Sequence, residues 1–324
     1  MKKRPEDEDA LRLERVEGPW ASVGVEMVPV GGFRLRQGLS RWDPTAEVQD
    51  DDGAEWLVTE ADQGRRSPLS LQPDALTKPS IAREFERLGR DPAPARILRF
   101  ANRYGFLGPP TALVDPDKRS PSDQVPVSEL MLGELVSYWQ EEAARFRDLR
   151  TTWGQALALT DAGPQSQHDA HAYLVERIYW SPSGAVRYQS QIETRSGTYS
   201  FARWIASAIE IEEGDLAGRI KRRDLAGPAR LHVHREVNER LRGHVSPAVP
   251  AFLESPVMRN FPDSLLAAIY FRFALDLVSP TSRESICDHC HQPFVQGRSD
   301  KRFCSKNCKE NARYHREVAE QRRP

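Results

Sequence analysis

The four cysteines of this 324-residue chain all lie between residues 287 and 308, and this grouping constrains the fold more than any other feature. They form the pattern Cys287-x2-Cys290, thirteen intervening residues, then Cys304-x3-Cys308. A Cys-x2-Cys pair fits a tight turn that directs both sulfurs to one point, and two cysteines four residues apart share one face of a helix. Four thiolates close a tetrahedral shell, so we expect one structural zinc ion with no position open to substrate.

The cysteine pattern is also compatible with chemistry other than a zinc site. Four thiolates can hold an iron–sulfur cluster, and four buried cysteines can occur without any metal. His289 and His291 lie inside and beside the first pair, where an imidazole could replace a thiolate as ligand. Because the cysteine set is already complete, zinc bound by the four cysteines is the prediction that we carry forward.

The segment that holds the cysteines is too short to build a large core of its own. We expect a miniature core around the metal, made of Phe294, Val295, Phe303 and Tyr314. A helix is expected from about Ser305, and the partial positive charge of its N-terminus favours the thiolate form of nearby cysteines.

Basic side chains are concentrated in the same segment. Residues 287–324 contain nine Lys or Arg and five Asp or Glu, a net charge of +4, whereas residues 1–286 contain 37 and 42, a net charge of −5. On the expected helix, Glu310 and Glu317 are predicted to lie on a different face from the basic residues. Phosphate groups attract such a surface, so we predict nucleic-acid contacts for Arg298, Lys301, Arg302, Lys306, Lys309, Arg313 and Arg316. The alternative is a solvated basic face that binds nothing.

These motifs resemble a known group of zinc fingers. The residues that carry the resemblance are the Cys-x2-Cys pair, Phe294, the run Phe303-Cys304-Ser305 and Cys308 at the start of an Arg-rich helix. The segment 284–323 resembles the treble-clef fingers of the CGNR zinc-finger family of bacterial transcription regulators, although this chain reads Cys-Lys-Glu-Asn where that family reads Cys-Gly-Asn-Arg. The body, with the run 99–105, resembles uncharacterised bacterial proteins that carry the same kind of tail. The resemblance implies a treble-clef fold, DNA binding and regulation.

The remainder of the chain predicts an α+β protein with a predominantly helical body and a small antiparallel sheet. Residues 1–18 are mostly charged and are expected to form a disordered tail. Residues 19–280 form the body, in which 39% apolar residues over the whole chain are enough for a core. A break at Ser279-Pro280-Thr281-Ser282 separates it from the finger, 281–324, with its basic C-terminal helix.

Local patterns predict the elements of the body. Alternating apolar residues between Trp20 and Val58 predict strands, and Tyr173–Ile192 predicts a hairpin. Two short helices are expected from Ser80 to Gly89 and from about Pro94 to Gly105. A stripe with Ser128 as N-cap predicts a helix of roughly thirty residues, about 45 Å long. Further helices are predicted at 201–211, 230–242 and 263–278, the last of them buried.

Catalytic motifs are absent from the sequence: it contains no Walker loop, dinucleotide glycine pattern, nucleophile elbow or His-Glu-x-x-His helix. Two histidine pairs, His168 with His171 and His232 with His234, could bind a metal together with a distant carboxylate, but exposed side chains are the expectation. Trp139 and Trp153 could form a ligand cage, and core packing is the expected role. No catalytic residues are predicted.

We therefore expect a cytoplasmic DNA-binding regulatory protein with one structural Zn²⁺ and no membrane span. The body would sense a ligand or self-associate. Two alternatives stay open: a protein-interaction module that uses the finger for docking, and an unrecognised enzyme in the body.

Overall fold

A computed structural model describes residues 32–41, 53–59, 80–115, 131–194, 197–248, 259–278, 284–287, 289, 293–295, 302–303 and 305–321. The predicted tail, 1–18, and the predicted boundary at 279–282 lie outside these residues. The chain divides into two compact units. Unit 1 consists of Met1–Ala143 and Arg240–Phe273, and unit 2 consists of Ala144–Glu239 and Ala274–Pro324. Strands in both units pair antiparallel, which agrees with the expected α+β class.

Unit 1 contains a five-stranded antiparallel sheet. Its strands are β1 (Phe33–Arg36), β2 (Ser40–Arg41), β3 (Trp56–Thr59), β4 (Thr111–Val114) and β5 (Met131–Leu135), in the order β1-β3-β5-β4-β2. The first three strands confirm the sheet predicted up to Val58, within the described part of that range. A buried apolar cluster at this sheet contains Trp56, Val58 and Leu113 from the strands and Leu39, which precedes β2.

Two helices pack beside this sheet at the predicted positions: α1 (Ser80–Leu88) and α2 (Pro94–Tyr104). Helix α2 begins with Pro94 and ends at Gly105, whose φ of 94° suits a residue without a Cβ. The ring of Phe100 contacts those of Phe85 and Tyr104, with centroid distances of 5.7 and 4.6 Å. The Asn102 side chain accepts a hydrogen bond from the backbone N–H of Phe33 at 2.7 Å and so fixes α2 to β1.

The long helix, α3 (Val136–Asp161), begins later than predicted. Residues Met131–Leu135 form strand β5, which pairs with both β3 and β4, so the expectation that they are helical was wrong. Gly133 allows the neighbouring strands to approach β5 closely. A Cβ at this position would lie only 2.5 Å from the side chain of Leu113 and 3.0 Å from that of Val58. Close strand contacts outweigh the helical periodicity of this segment. The predicted N-cap, Ser128, lies outside the described residues.

A third group of elements completes unit 1: β9 (Val245–Ala248), β10 (Arg259–Pro262) and the first nine residues of α7 (Leu265–Val278). Residues 265–270 and Phe273 of α7 are buried, which confirms the prediction of a buried apolar helix for this part. Among the residues that the structure describes, no helix has the length and apolar character needed to cross a membrane.

Unit 2 is built on a three-stranded antiparallel sheet of β6 (Ile178–Trp180), β7 (Val186–Thr194) and β8 (Gly197–Ala206). The predicted hairpin is therefore confirmed, with a shorter first strand. The helix predicted at 201–211 was wrong for 201–206, because these residues pair along β7, and a short helix follows only at Ala208–Glu212. The other elements are α4 (Pro164–Val175), α5 (Ala208–Glu212), α6 (Ala226–Leu241), β11 (Glu284–Ile286), β12 (Pro293–Val295) and α8 (Lys306–Gln321).

A buried carboxylate joins the elements of unit 1. Glu134, on β5, accepts hydrogen bonds from the backbone N–H groups of Leu107 and Gly108, at 2.9 and 2.6 Å. It also accepts one at 2.8 Å from the indole N–H of Trp139, which is buried as core packing predicts. Burial raises the pKa of Glu134 to about 7 from its ordinary 4.5, although the three hydrogen bonds oppose the shift.

This carboxylate predicts a pH dependence of stability. Because its folded-state pKa lies above its unfolded value, the folded state binds more protons between pH 4.5 and 7. The free energy of unfolding should therefore fall as the pH rises through this window, by up to about 3 kcal/mol. In the Glu134→Gln protein, the free energy of unfolding measured by urea denaturation should lack this part of its pH dependence. The exposed Glu141→Gln is the control, and a slope that is the same in both variants would contradict the assignment.

Candidate functional site

The predicted zinc segment contains a hairpin followed by a helix. Strands β11 and β12 pair antiparallel, with Ile286 opposite Pro293. Cys287 directly follows β11 and is buried.

The second cysteine pair borders helix α8. The backbone N–H of Cys308 donates to the Ser305 hydroxyl at 3.1 Å, so Ser305 is the N-cap and the helix begins at Lys306, close to the predicted start. Cys308 lies half-buried in the first turn of α8. Within the described part of the chain no group of three metal-ligating side chains occurs, and Cys290 and Cys304 lie outside it. Zinc binding stays a prediction.

The basic residues of this segment are largely solvent-accessible where the structure describes them. Arg302, Lys306, Lys309 and Arg313 are exposed. Arg298 and Lys301 lie outside the described residues, as does the side chain of Arg316.

Two expectations for α8 were wrong. Glu310 lies beside the basic residues rather than on a different face, because its Oε1 is 3.6 Å from Nζ of Lys306, one helical turn away. Tyr314 is 64% exposed and does not belong to a miniature core. The side chain of Glu317 lies outside the described residues, as do those of Phe294 and Val295, and Phe303 is half-buried.

A second site, which the sequence did not indicate, is a cavity of about 300 Å³ in unit 2. It lies among α3, α6 and the strands β7 and β8, and its polar wall consists of Arg145, Asp148, Tyr188, Ser200, Arg203, His232 and Glu236. Ligand sites in proteins are usually cavities with mainly apolar walls, whereas seven of the ten residues that line this cavity are polar or charged.

A hydrogen-bond network around Asp148 supports one side of the cavity. The two carboxylate oxygens of Asp148 accept hydrogen bonds from the hydroxyls of Tyr173 and Tyr188, at 3.0 and 2.6 Å. The Tyr188 hydroxyl also lies 2.8 Å from that of Thr152. Burial raises the pKa of Asp148 above its ordinary value, although the hydrogen bonds from the two tyrosine hydroxyls and the charge of Arg177 oppose the shift. Both oxygens are thus engaged in holding α3, α4 and β7 together.

His232 forms another part of the wall and is buried, contrary to the expectation of an exposed pair. It lies on α6, and its ring stacks on that of Tyr188 at 3.9 Å and 15°. Burial and the charge of Arg203 lower its pKa to about 3, so the imidazole is neutral at physiological pH. Its neighbour His234 is half-buried with its ring edge-on to Trp153, whereas His168 and His171 are exposed as predicted.

Charged side chains border the same cavity. Arg203, on β8, pairs through Nη1 with the carboxylates of Glu236 and Glu239 on α6. Arg145, on α3, places its guanidinium 4.7 Å from the ring centroid of Phe201. His232 and Glu236 are four residues apart on one helix face, a spacing visible in the sequence, but their pairing with β8 depends on the fold.

Comparison of the chain with protein-family models, with curated proteins and with solved structures found no match. Both sites therefore have to be interpreted from their own chemistry.

Metal content tests the cysteine site. Purified protein should contain about one zinc per chain, because four thiolates complete one closed shell. Cys308→Ser should lower the zinc content measured by atomic emission, while His289→Gln should leave it unchanged. Zinc retained by the cysteine variant would contradict the predicted ligand set, and iron in place of zinc would favour a cluster.

The Asp148 network predicts a matched pair of stability effects. Tyr188→Phe should lower the free energy of unfolding by about 1–3 kcal/mol, because the buried carboxylate loses a donor. Tyr179→Phe, which removes a hydroxyl from an exposed tyrosine of the same sheet, should change it by less than about 0.5 kcal/mol. Equal effects in chemical denaturation would show that the network contributes nothing.

Proposed function

We propose that this protein is a nucleic-acid-binding regulator that contacts DNA through its C-terminal segment. The observation that carries the proposal is the set of exposed cationic side chains on α8 and just before it: Lys306, Lys309 and Arg313 on the helix and Arg302 before it. Lysine and arginine side chains on one helical segment displace the counterions condensed on a phosphate backbone, which gives affinity without sequence preference.

Zinc would hold this surface in place. In the proposal, Cys287, Cys290, Cys304 and Cys308 bind one ion, which supplies structural cross-linking and no open coordination position. The burial of Cys287 at a hairpin end and the location of Cys308 in the first turn of α8 support this ligand set. A metal that joins hairpin and helix replaces the apolar core that so short a segment lacks.

The resemblance to the CGNR zinc-finger family supports the same function. That resemblance rests on the cysteine spacing and on Phe303-Cys304-Ser305, and it implies DNA binding and transcription regulation. The CGNR assignment and the regulatory role remain part of the proposal.

The basic residues of α8 are not equivalent. Lys306 lies 3.6 Å from Glu310, so part of its charge is compensated within the helix. Both side chains are exposed, and such a pair contributes little to stability. Lys309 and Arg313, four residues apart, lie on one side of the helix and are both exposed, so both can contact phosphates.

Salt dependence of DNA binding tests the proposal. Arg313→Ala should weaken binding to every sequence alike and lower the slope of log K against log salt by roughly one, as expected for the loss of one phosphate contact. Fluorescence anisotropy with labelled duplexes of unrelated sequence, at several salt concentrations, measures both quantities.

Glu310→Gln provides the opposite control. This change releases Lys306 from its ion pair and removes a negative charge, so affinity should stay the same or rise slightly. No binding at low salt, or binding indifferent to the Arg313 change, would overturn the proposal.

The exposure of Tyr314 favours a second candidate function, docking to another protein. An exposed aromatic side chain is a common anchor in protein interfaces. If docking is the function, Tyr314→Ala should abolish co-purification of a partner and leave the salt dependence of DNA binding unchanged. If DNA binding is the function, Arg313→Ala should be the variant that weakens binding.

A further inference from the structure

Arg203 retains donors that the protein does not use. Its hydrogen bond to Glu236 and its shortest contact with Glu239 both involve Nη1. Its Nε and Nη2 groups make no hydrogen bond to any residue in the described part of the chain. The Nε–Nη2 edge of a guanidinium is a planar pair of donors that matches a carboxylate in bidentate geometry.

His232 offers a second unused donor. The residue is 5% exposed, and its ring nitrogens have no hydrogen-bond partner among the described residues. Neither ring nitrogen is a fully buried atom, so both are accessible from the cavity. Because the imidazole is neutral, one nitrogen donates a hydrogen bond and the other accepts one.

Three carboxylate oxygens of the wall are already engaged. The two oxygens of Asp148 accept hydrogen bonds from the tyrosine hydroxyls, and Oε1 of Glu236 accepts one from Arg203. Apolar atoms of Leu149, Phe201 and Ala202 complete the lining, and the volume of about 300 Å³ lies at the lower end of the range for small-molecule pockets.

We propose that this cavity binds the carboxylate of a small organic acid, with Arg203 and His232 as its hydrogen-bond donors and the apolar wall around its hydrocarbon part. The site belongs to unit 2 and does not depend on the function proposed for α8.

The cavity wall carries two guanidinium groups, those of Arg203 and Arg145, and two carboxylates, those of Asp148 and Glu236. The positive charge of Arg203 acts on the imidazole of His232, and Arg145 adds a second guanidinium to the wall. A carboxylate between these groups would replace water as the acceptor and would find donors already held in position by the Glu236 pair and by the stack on Tyr188.

Isothermal titration calorimetry of the full-length protein tests the proposal with sodium benzoate, with sodium acetate and with benzamide, which has the ring of benzoate but no charge. Benzoate should bind saturably below about 10 mM, and benzamide at least about tenfold more weakly. Acetate, which lacks the ring, should bind more weakly than benzoate because it does not contact the apolar wall.

Two variants identify the donors. Arg203→Lys keeps the positive charge near Glu236 but lacks the planar donor pair, so it should lower benzoate affinity at least about tenfold. His232→Phe keeps a ring that can stack on Tyr188 and removes the N–H, so it should lower the affinity several-fold. The exposed Arg222→Lys, which does not line the cavity, should bind benzoate like the unmodified protein.

Equal binding of benzoate and benzamide, or no saturable binding of benzoate and acetate, would overturn the proposal. So would an Arg203→Lys protein that binds benzoate unchanged. Thermal melts establish that each variant is folded; if Arg203→Lys is not, the benzoate-to-benzamide ratio and the His232→Phe protein decide the question.

Discussion

A buried carboxylate must be satisfied by hydrogen-bond donors, and this requirement organises both units of the protein. In unit 1, Glu134 collects two backbone N–H groups and the Trp139 indole, and so joins β5, the segment after α2 and the start of α3. In unit 2, Asp148 collects the hydroxyls of Tyr173 and Tyr188. Each carboxylate costs free energy on burial and therefore specifies which elements must lie around it.

The cavity of unit 2 depends on the Asp148 network. Tyr188 is held by its hydroxyl, and its ring in turn supports His232 in a parallel stack. The Arg203 pair with Glu236 links β8 to α6 across the same space. Donors that are fixed in this way lose little conformational freedom when a ligand binds, which is the physical basis of a preorganised site.

The C-terminal segment follows a different principle. Its described residues are mostly exposed or half-buried, with Cys287 as a buried exception, so packing alone offers little to stabilise a hairpin and a helix. Metal coordination would supply that missing energy, and it would leave the basic side chains of α8 accessible. In this arrangement the cysteines stabilise the segment and the basic residues bind the nucleic acid. A change at Cys308 should therefore affect stability, and a change at Arg313 should affect binding.

The sequence by itself determined the elements whose signals are local. The helices at 80–88 and 94–104, the hairpin that ends near Ile192 and the apolar helix α7 follow from periodicity, caps and turn residues. The cysteine spacing likewise defines a candidate ligand set before any fold is known. Only the tertiary structure decided that Met131–Leu135 and residues 201–206 are strands, since their pairing partners lie far away in the chain. It also decided that His232 is buried and that Arg203 faces Glu236, because burial and long-range pairing depend on which elements meet, and local composition carries no record of those contacts.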